Sequence, residues 1–302
     1  MLTIIKTFAK SSPVSTYFIL TFTISWGGLL LVSGGPDGFP TTKEQFEKQL
    51  PVFIPLVLAG PSVSSILLTF FISGRVGARK VLSRMLRWQV GVCWYGLALL
   101  TAPVVLTVEL LALSLVSPIY LPGIFASGEK ASLLQFGIMA GLMVGFFEEL
   151  GWTGFAVPRL RLRYSVVTTG LIVGVLWGAW HILLNVIWVS GAFSGELSPA
   201  FFIMARALGD LVGLLPAYRV LMTWVYDRTG SLLVAMLMHA SLTASTLIVE
   251  PPRISGMSLI IYDLISAAVM WIVVGMVLAA NGGEFEGRVG RKMYAMSAKQ
   301  ND

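Results

Sequence analysis

The chain has 302 residues, of which 56% are hydrophobic and only 12% are charged, and its mean hydropathy is +0.83. Soluble domains carry about 25% charged residues, so this composition excludes an ordinary soluble protein and indicates an integral membrane protein. The net charge of +6 does not indicate nucleic-acid binding, because the basic residues lie between apolar runs, where they suit anionic lipid headgroups.

Spanning the ~30 Å hydrocarbon core of a bilayer takes about 20 residues of helix. The segments that reach about that length are 14–33, 52–73, 90–116, 132–156, 167–189, 203–225, 231–249 and 257–280. The sequence therefore predicts an all-α, polytopic membrane bundle of about eight transmembrane helices. We expect one transmembrane domain over residues 1–281 and a disordered cytoplasmic tail over 282–302.

The loops between these segments predict the orientation of the bundle. Loops 74–89 and 157–166 are rich in basic residues and contain no acid, whereas the loops that alternate with them have few basic residues. Because basic loops stay on the cytoplasmic side, both termini are expected in the cytoplasm. The basic stretch 75–88 fits either an amphipathic helix on the membrane surface or a positively charged topology loop.

Two adjacent acids inside the fourth predicted span, Glu148 and Glu149, indicate a candidate catalytic site. An acid in hydrocarbon costs about 3 kcal/mol on insertion scales, so such residues indicate function. Neighbouring helical residues point ~100° apart, so the two acids cannot face one reaction centre equally. Glu149 shares a helix face with Thr153, and Glu148 shares one with Trp152.

Both histidines of the chain, His181 and His239, also fall inside predicted spans. A lone histidine in a membrane helix is usually a packed, hydrogen-bonded residue. A glutamate pair in the same bundle favours a different role, since glutamate takes a proton from water while imidazole orients the nucleophile or stabilises an oxyanion. The depths of these residues in their helices are compatible with one site.

Four further charged residues lie in the predicted spans. Arg206 and Asp210 are one turn apart and could pair within their helix, while Glu109 and Asp263 are isolated in sequence. Structural pairing or the lining of a hydrated cavity would explain them. A transporter is the alternative, but the sequence has no inverted repeat to favour it.

Three motifs, in order along the chain, resemble the CPBP family of intramembrane proteases, which is named for CAAX proteases and bacteriocin-processing enzymes. The family includes the type II CAAX prenyl endopeptidases. Its Glu-Glu-x-x-x-Arg, aromatic-x-x-x-His and His-x-x-x-Asn motifs stand here as Glu148 to Thr153, Trp177 to His181, and His239 to Thr243. The similarity extends over a protease-like core at about residues 55–250.

The resemblance implies a multi-pass intramembrane endopeptidase of the cell membrane. Its substrate would be a peptide or protein, either a prenylated CAAX terminus or a leader peptide, with membrane lipid and no nucleic acid as the other partner. By the same resemblance, Glu148 activates water with the assistance of His181. His239 and Thr243 stabilise the oxyanion, and Glu149 positions Glu148.

Two positions depart from the family pattern, since Thr153 stands for the motif's arginine and Thr243 for its asparagine. An arginine at position 153 would pair with Glu149, so Glu149 is expected to be protonated or to have another partner. The candidate partners are Arg159, Arg161 and Arg163. The departures keep open a non-catalytic alternative, a membrane scaffold or bacteriocin self-immunity protein on the same fold.

The sequence also leaves a metal site open. The family is often described as metalloproteases, and zinc would be held by Glu148, His181 and His239 with an open fourth position. The chain lacks a His-Glu-x-x-His motif, which places both histidine ligands on one helical turn. We therefore expect a metal-free glutamate mechanism without a cofactor.

Overall fold

The computed structural model of the chain describes residues 9–40, 42–192 and 197–281. Within these ranges the protein is all-helical and no residue forms a β-strand. The predicted all-α fold is confirmed. The predicted tail, 282–302, lies outside the described residues.

The described residues form nine long helices, joined by shorter helical turns. The long helices are α1 Pro13–Ser33, α2 Lys43–Met85, α3 Val92–Ser114, α4 Lys130–Glu149, α5 Val166–Ala192, α6 Pro199–Val212, α7 Leu214–Thr229, α8 Leu232–Val249 and α9 Gly256–Ala280. The shorter segments are Pro36–Gly38, Pro118–Tyr120, Gly123–Ala126, Trp152–Ala156 and Val157–Leu160.

Eight helical stretches in the described ranges are long and apolar enough to cross a membrane. Helix α4 and its continuation to Leu160 make one of them, and α6 with α7 makes another. The predicted number of spans is confirmed, and the protein has the architecture of a multi-pass membrane protein. Which side each terminus faces stays a prediction.

Helix α2 joins the predicted second span to the basic stretch that follows it. Gly74 interrupts the helix with φ 55° and ψ −148°, a conformation that glycine adopts without steric cost. Beyond this kink the chain stays helical to Met85, as the amphipathic-helix interpretation of 75–88 requires. The position of this helix relative to the membrane surface stays a prediction.

A π-helical turn, Trp152–Ala156, follows directly on α4 and contains part of the first motif. The Ala156 N–H donates to the carbonyl oxygen of Gly151, five residues back, at 3.1 Å. Side chains of α2 bond to carbonyls before and within the turn: Ser65 Oγ donates to Leu150 O and Arg84 Nη2 to Gly154 O, each at 2.7 Å. Such turns are frequent at functional sites. Here α2 holds the C-terminal end of α4, which carries the two glutamates.

Glycines allow two pairs of helices to pack closely. Helix α4 packs against α8, and α5 packs against α7. A methyl group on Gly145 would lie 2.5 Å from Met236 O, and one on Gly174 would lie 2.5 Å from Pro216 Cα. Small residues permit such backbone approach between membrane helices. The first contact brings the two glutamates beside α8, and the second brings Trp177 beside α7.

A tight hairpin sets the register of α7 against α8. Gly230 ends α7 with φ 62°, and Ser231 Oγ accepts the Val234 N–H at 3.2 Å to begin α8. Inside the bundle, Tyr218 OH donates to Met238 O at 2.9 Å. Because this bond fixes the two helices at one depth, the residues that follow each partner in sequence, 219 and 239, lie at the same level.

We predict that Gly145→Ala lowers the free energy of unfolding by about 1–3 kcal/mol, because the added methyl group overpacks the contact between α4 and α8. Gly96→Ala is the matched control, since Gly96 lies in α3 with nothing within 4 Å of the added methyl group. Thermal unfolding of both variants in detergent measures the effect. Equal stability of the two variants would contradict the close packing.

Candidate active site

The two predicted acids lie at the C-terminal end of α4, and the bundle buries both. The exposed fraction is 3% for Glu148 and 0% for Glu149. Around them the structure gathers Thr153, Trp177, Arg219 and His239, and these six residues are called the glutamate cluster below. A buried carboxylate is expensive unless hydrogen bonds or a counter-charge satisfy it, and the two acids are satisfied in different ways.

Neutral donors hold Glu148. Its Oε2 accepts the indole N–H of Trp152 at 3.0 Å and that of Trp177 at 2.9 Å. The helix face predicted for Glu148 and Trp152 is therefore confirmed. Because both indoles bond to Oε2, the other oxygen of Glu148 stays available to accept a hydrogen bond.

Charged and polar donors hold Glu149. Arg219 Nη1 lies 2.8 Å from Oε1 and 3.0 Å from Oε2, and both side chains are 0% exposed. Thr153 Oγ1 donates to Oε2, which confirms the predicted shared face. The carboxylate is therefore paired with a full counter-charge inside the bundle.

His239 lies between the two acids. Its Nδ1 is 2.7 Å from Glu149 Oε1, and its Nε2 is 3.9 Å from Glu148 Oε2. A carboxylate that is ion-paired with arginine can only accept a hydrogen bond, so we infer that Nδ1 carries the proton. In the neutral ring, Nε2 is then the nitrogen that can take up a further proton.

Trp177 joins the parts of the cluster. Its ring lies beneath the Arg219 guanidinium, with Cζ 4.3 Å from the ring centroid, and its N–H bonds to Glu148. The centroid of its ring is 4.9 Å from that of His239 and 5.6 Å from that of His181. A single aromatic residue thus contacts the cation of one acid and bonds to the other acid.

His181 is adjacent to the cluster through Trp177. Its Nδ1 lies 2.8 Å from the Trp177 carbonyl oxygen, one turn earlier in α5. Since a carbonyl accepts only, Nδ1 is the donor and Nε2 is the free nitrogen. The side chain is half-buried, as a residue at the edge of a buried site would be.

Thr243 is not joined to the cluster. It follows His239 by one turn of α8, and among the described residues its hydroxyl makes no hydrogen bond. Its carbonyl oxygen accepts the Thr246 hydroxyl at 2.9 Å. The role implied for Thr243 by the resemblance stays a prediction.

The expected partner of Glu149 is wrong, and the actual partner was not among the candidates. Arg159 donates to the Phe155 carbonyl at 2.9 Å, and Arg161 pairs with Asp227 at 2.9 Å. The cation at Glu149 is Arg219, from α7. The sequence did carry a signal, since an arginine inside the apolar run 203–225 is costly without a buried partner.

The residues named for zinc do not assemble into a metal site. In the part of the chain that the structure describes, no three His, Cys, Asp or Glu side chains come together in a group that could hold a metal ion. Glu148 Oε2 already accepts two indole N–H groups. The expectation of a metal-free mechanism without a cofactor stays a prediction.

The remaining intramembrane charges form separate contacts. Arg206 Nη1 bonds to Asp263 Oδ2 at 2.8 Å and Asn185 Nδ2 to Asp210 Oδ2 at 2.6 Å, so Arg206 pairs with an acid of another helix and not with Asp210. Glu109 accepts the Ser266 hydroxyl at 2.7 Å. These contacts tie α6 to α9, α5 to α6, and α3 to α9, as structural pairing would.

Comparison with known proteins gives a match for the segment that contains the site. Residues 130–245 match the model of a family described as type II CAAX prenyl endopeptidase Rce1-like. A protein from Methanococcus maripaludis, named CAAX prenyl protease 2, is 29% identical over 99 residues, which are 32% of this chain and 35% of that protein. The chain thus covers about a third of this relative. The resemblance inferred from the three motifs is confirmed for the matched segment, and both names suggest a peptidase.

The different environments of the two acids predict different effects on stability. Glu149→Gln leaves Arg219 buried without a counter-charge, and we expect it to lower the free energy of unfolding by about 3–5 kcal/mol. Glu148→Gln keeps an oxygen that accepts both indole N–H groups, and we expect a loss of no more than about 1.5 kcal/mol. Denaturant unfolding of the two variants measures both values. Similar losses would contradict the asymmetry of the cluster.

Proposed function

Because residues 130–245 match an Rce1-like type II CAAX prenyl endopeptidase domain, we propose that the protein is an intramembrane endopeptidase of the cell membrane. The observation that carries the proposal is His239 between two buried carboxylates, bonded through Nδ1 to Glu149 and with Nε2 facing Glu148 at 3.9 Å. In such an arrangement one carboxylate orients the imidazole and leaves its other nitrogen for the reaction.

In the proposed reaction Glu148 is the general base. It takes a proton from water as the water oxygen bonds to the carbonyl carbon of the scissile peptide, and the electron pair of the C=O double bond moves to oxygen. Glu148 then returns the proton to the amide nitrogen as the C–N bond breaks. The indoles of Trp152 and Trp177 support this role, since they hold one carboxylate oxygen and leave the other for water.

His239 is proposed to stabilise the oxyanion of the tetrahedral intermediate. When the ring is protonated, Nε2–H donates toward the oxyanion, and Glu149 is the counter-ion at Nδ1. His181 is proposed to orient the attacking water through its free Nε2. Thr243, one turn beyond His239, is the proposed second donor to the oxyanion.

The proposed substrate is a membrane-associated peptide or protein with a prenylated CAAX terminus. The name of the relative from Methanococcus maripaludis, CAAX prenyl protease 2, supports a prenylated terminus over a bacteriocin-like leader. Membrane lipid is the other proposed partner, and no nucleic-acid partner is proposed.

Mass-spectrometric cleavage of prenylated and unprenylated peptides by purified protein in lipid vesicles tests the proposal. We expect the wild type to cleave, and Glu148→Gln to lose at least about 10²-fold in rate, because a glutamine cannot take the proton. Glu109→Gln is the matched control, since Glu109 is also a buried glutamate within the bundle but lies outside the cluster. Equal loss in both variants would point to damage to the fold rather than to loss of the base.

The metal-free mechanism has its own test. We expect elemental analysis of the purified protein to find less than stoichiometric zinc, and cleavage to persist after treatment with a chelator, because no three His, Cys, Asp or Glu side chains of the described residues form a group that could hold the ion. Stoichiometric zinc that disappears together with activity in His181→Ala would overturn this mechanism.

A non-catalytic scaffold is the second candidate, and the departures from the family motifs at Thr153 and Thr243 favour it. A bacteriocin self-immunity protein is one example of this class. Such a protein would cleave none of the peptides, and Glu148→Gln would leave its cellular phenotype unchanged. Cleavage by the wild type alone excludes it.

A further inference from the structure

Arg219 combines a costly location with incomplete hydrogen bonding. It is 0% exposed in the middle of α7, and only its Nη1 reaches a carboxylate. Its Nε and Nη2 make no hydrogen bond to the described residues. Buried donors without partners cost about 1–3 kcal/mol each, so packing stability alone is a poor reason for an arginine at this position.

We propose that Arg219 is a positioning residue for the reaction, and that it supplies from α7 the cation that Thr153 cannot supply from the first motif. Its task is to keep Glu149 a hydrogen-bond acceptor, so that His239 stays oriented with Nδ1–H toward Glu149 and Nε2 toward Glu148. The role of Arg219 in catalysis rests on the proposed function, whereas its effect on His239 does not.

Arg219 acts on His239 through the charge of Glu149. A buried carboxylate without a counter-charge neutralises by taking up a proton, and a protonated carboxyl group donates as well as accepts. Glu149 would then no longer require Nδ1–H from His239. Since Arg219 Nη1 lies within 3.0 Å of both carboxylate oxygens, it removes the reason for Glu149 to take up that proton.

The side chains at positions 153 and 219 bond to the same carboxylate, that of Glu149. Thr153 Oγ1 donates to Glu149 Oε2 from one turn further along the chain, and Arg219 approaches the same oxygen from the neighbouring helix at 3.0 Å. A guanidinium from either position would therefore meet the same acid. Because Arg219→Ala vacates the space beside Glu149, an arginine introduced at position 153 has room there.

Arg219 also supports the second acid through Trp177. Its guanidinium stacks on the indole with Cζ 4.3 Å from the ring centroid, and that indole donates to Glu148 at 2.9 Å. Lysine has no planar group to stack in this way. We therefore expect Arg219→Lys to keep the charge at Glu149 but to hold Trp177 less firmly, with an effect between those of wild type and Arg219→Ala.

Histidine NMR tests the proposal without relying on activity. The chain has two histidines, so protein labelled with ¹⁵N-histidine in lipid vesicles gives two imidazole spectra, and His181→Gln assigns them. The variants are Arg219→Ala and the swap Thr153→Arg/Arg219→Ala. Arg161→Ala is the control, because it removes another fully buried arginine, paired with Asp227 instead of Glu149.

We expect the Nδ1–H signature of His239 in wild type and in Arg161→Ala, its loss in Arg219→Ala, and its return in the swap. An unchanged signature in folded Arg219→Ala overturns the proposal. If Arg219→Ala does not fold, the swap decides: a folded swap with the wild-type signature supports the proposal, and a swap that lacks the signature or does not fold overturns it.

Cleavage kinetics test the role of Arg219 in catalysis. Arg219→Ala is expected to lower kcat by about 10²-fold with little change in KM, as a misplaced reacting group does, and the swap is expected to recover most of that loss. A folded swap with restored NMR but no restored cleavage overturns the positioning role in catalysis. If wild type itself cleaves no peptide, the proposed function fails, while the NMR result still decides what Arg219 does to His239.

Discussion

The structure depends on one ion pair, between Glu149 and Arg219, in the interior of an apolar bundle. Each side chain is 0% exposed, and either charge without the other would cost several kcal/mol. The pair can form only if α4 and α7 lie at one depth on either side of the same space. The close glycine contacts of α4 with α8 and of α5 with α7, and the bond from Tyr218 to Met238, all serve that placement.

The ion pair gives two adjacent acids different characters. Glu149 is paired with the Arg219 cation and accepts hydrogen bonds from His239 and Thr153. Glu148 Oε2 accepts two neutral indole N–H groups, and within the described residues no hydrogen bond to its other oxygen is found. Two carboxylates next to each other in sequence can thus coexist in low dielectric, because a counter-ion balances the charge of one of them.

Local geometry explains what could be predicted about the cluster. The ~100° between successive helical residues assigns Glu148 to the face of Trp152 and Glu149 to that of Thr153, and both contacts occur. The identity of the cation at Glu149 could not be derived in this way. Arg219 is 70 residues from Glu149 in sequence, and its approach depends on how α7 packs. An arginine within an apolar run indicated that it has a buried partner, but not which one.

The sequence by itself determined the apolar helices, the all-α class and the candidate site residues, because apolar length, helical periodicity and the cost of intramembrane charge are local properties of a segment. Only the tertiary structure decided which residues meet. It placed His239 directly between the acids, linked His181 through Trp177 and left Thr243 outside the cluster. Contacts between helices depend on register and on close backbone approach at a few glycines, and neither is encoded in any single segment.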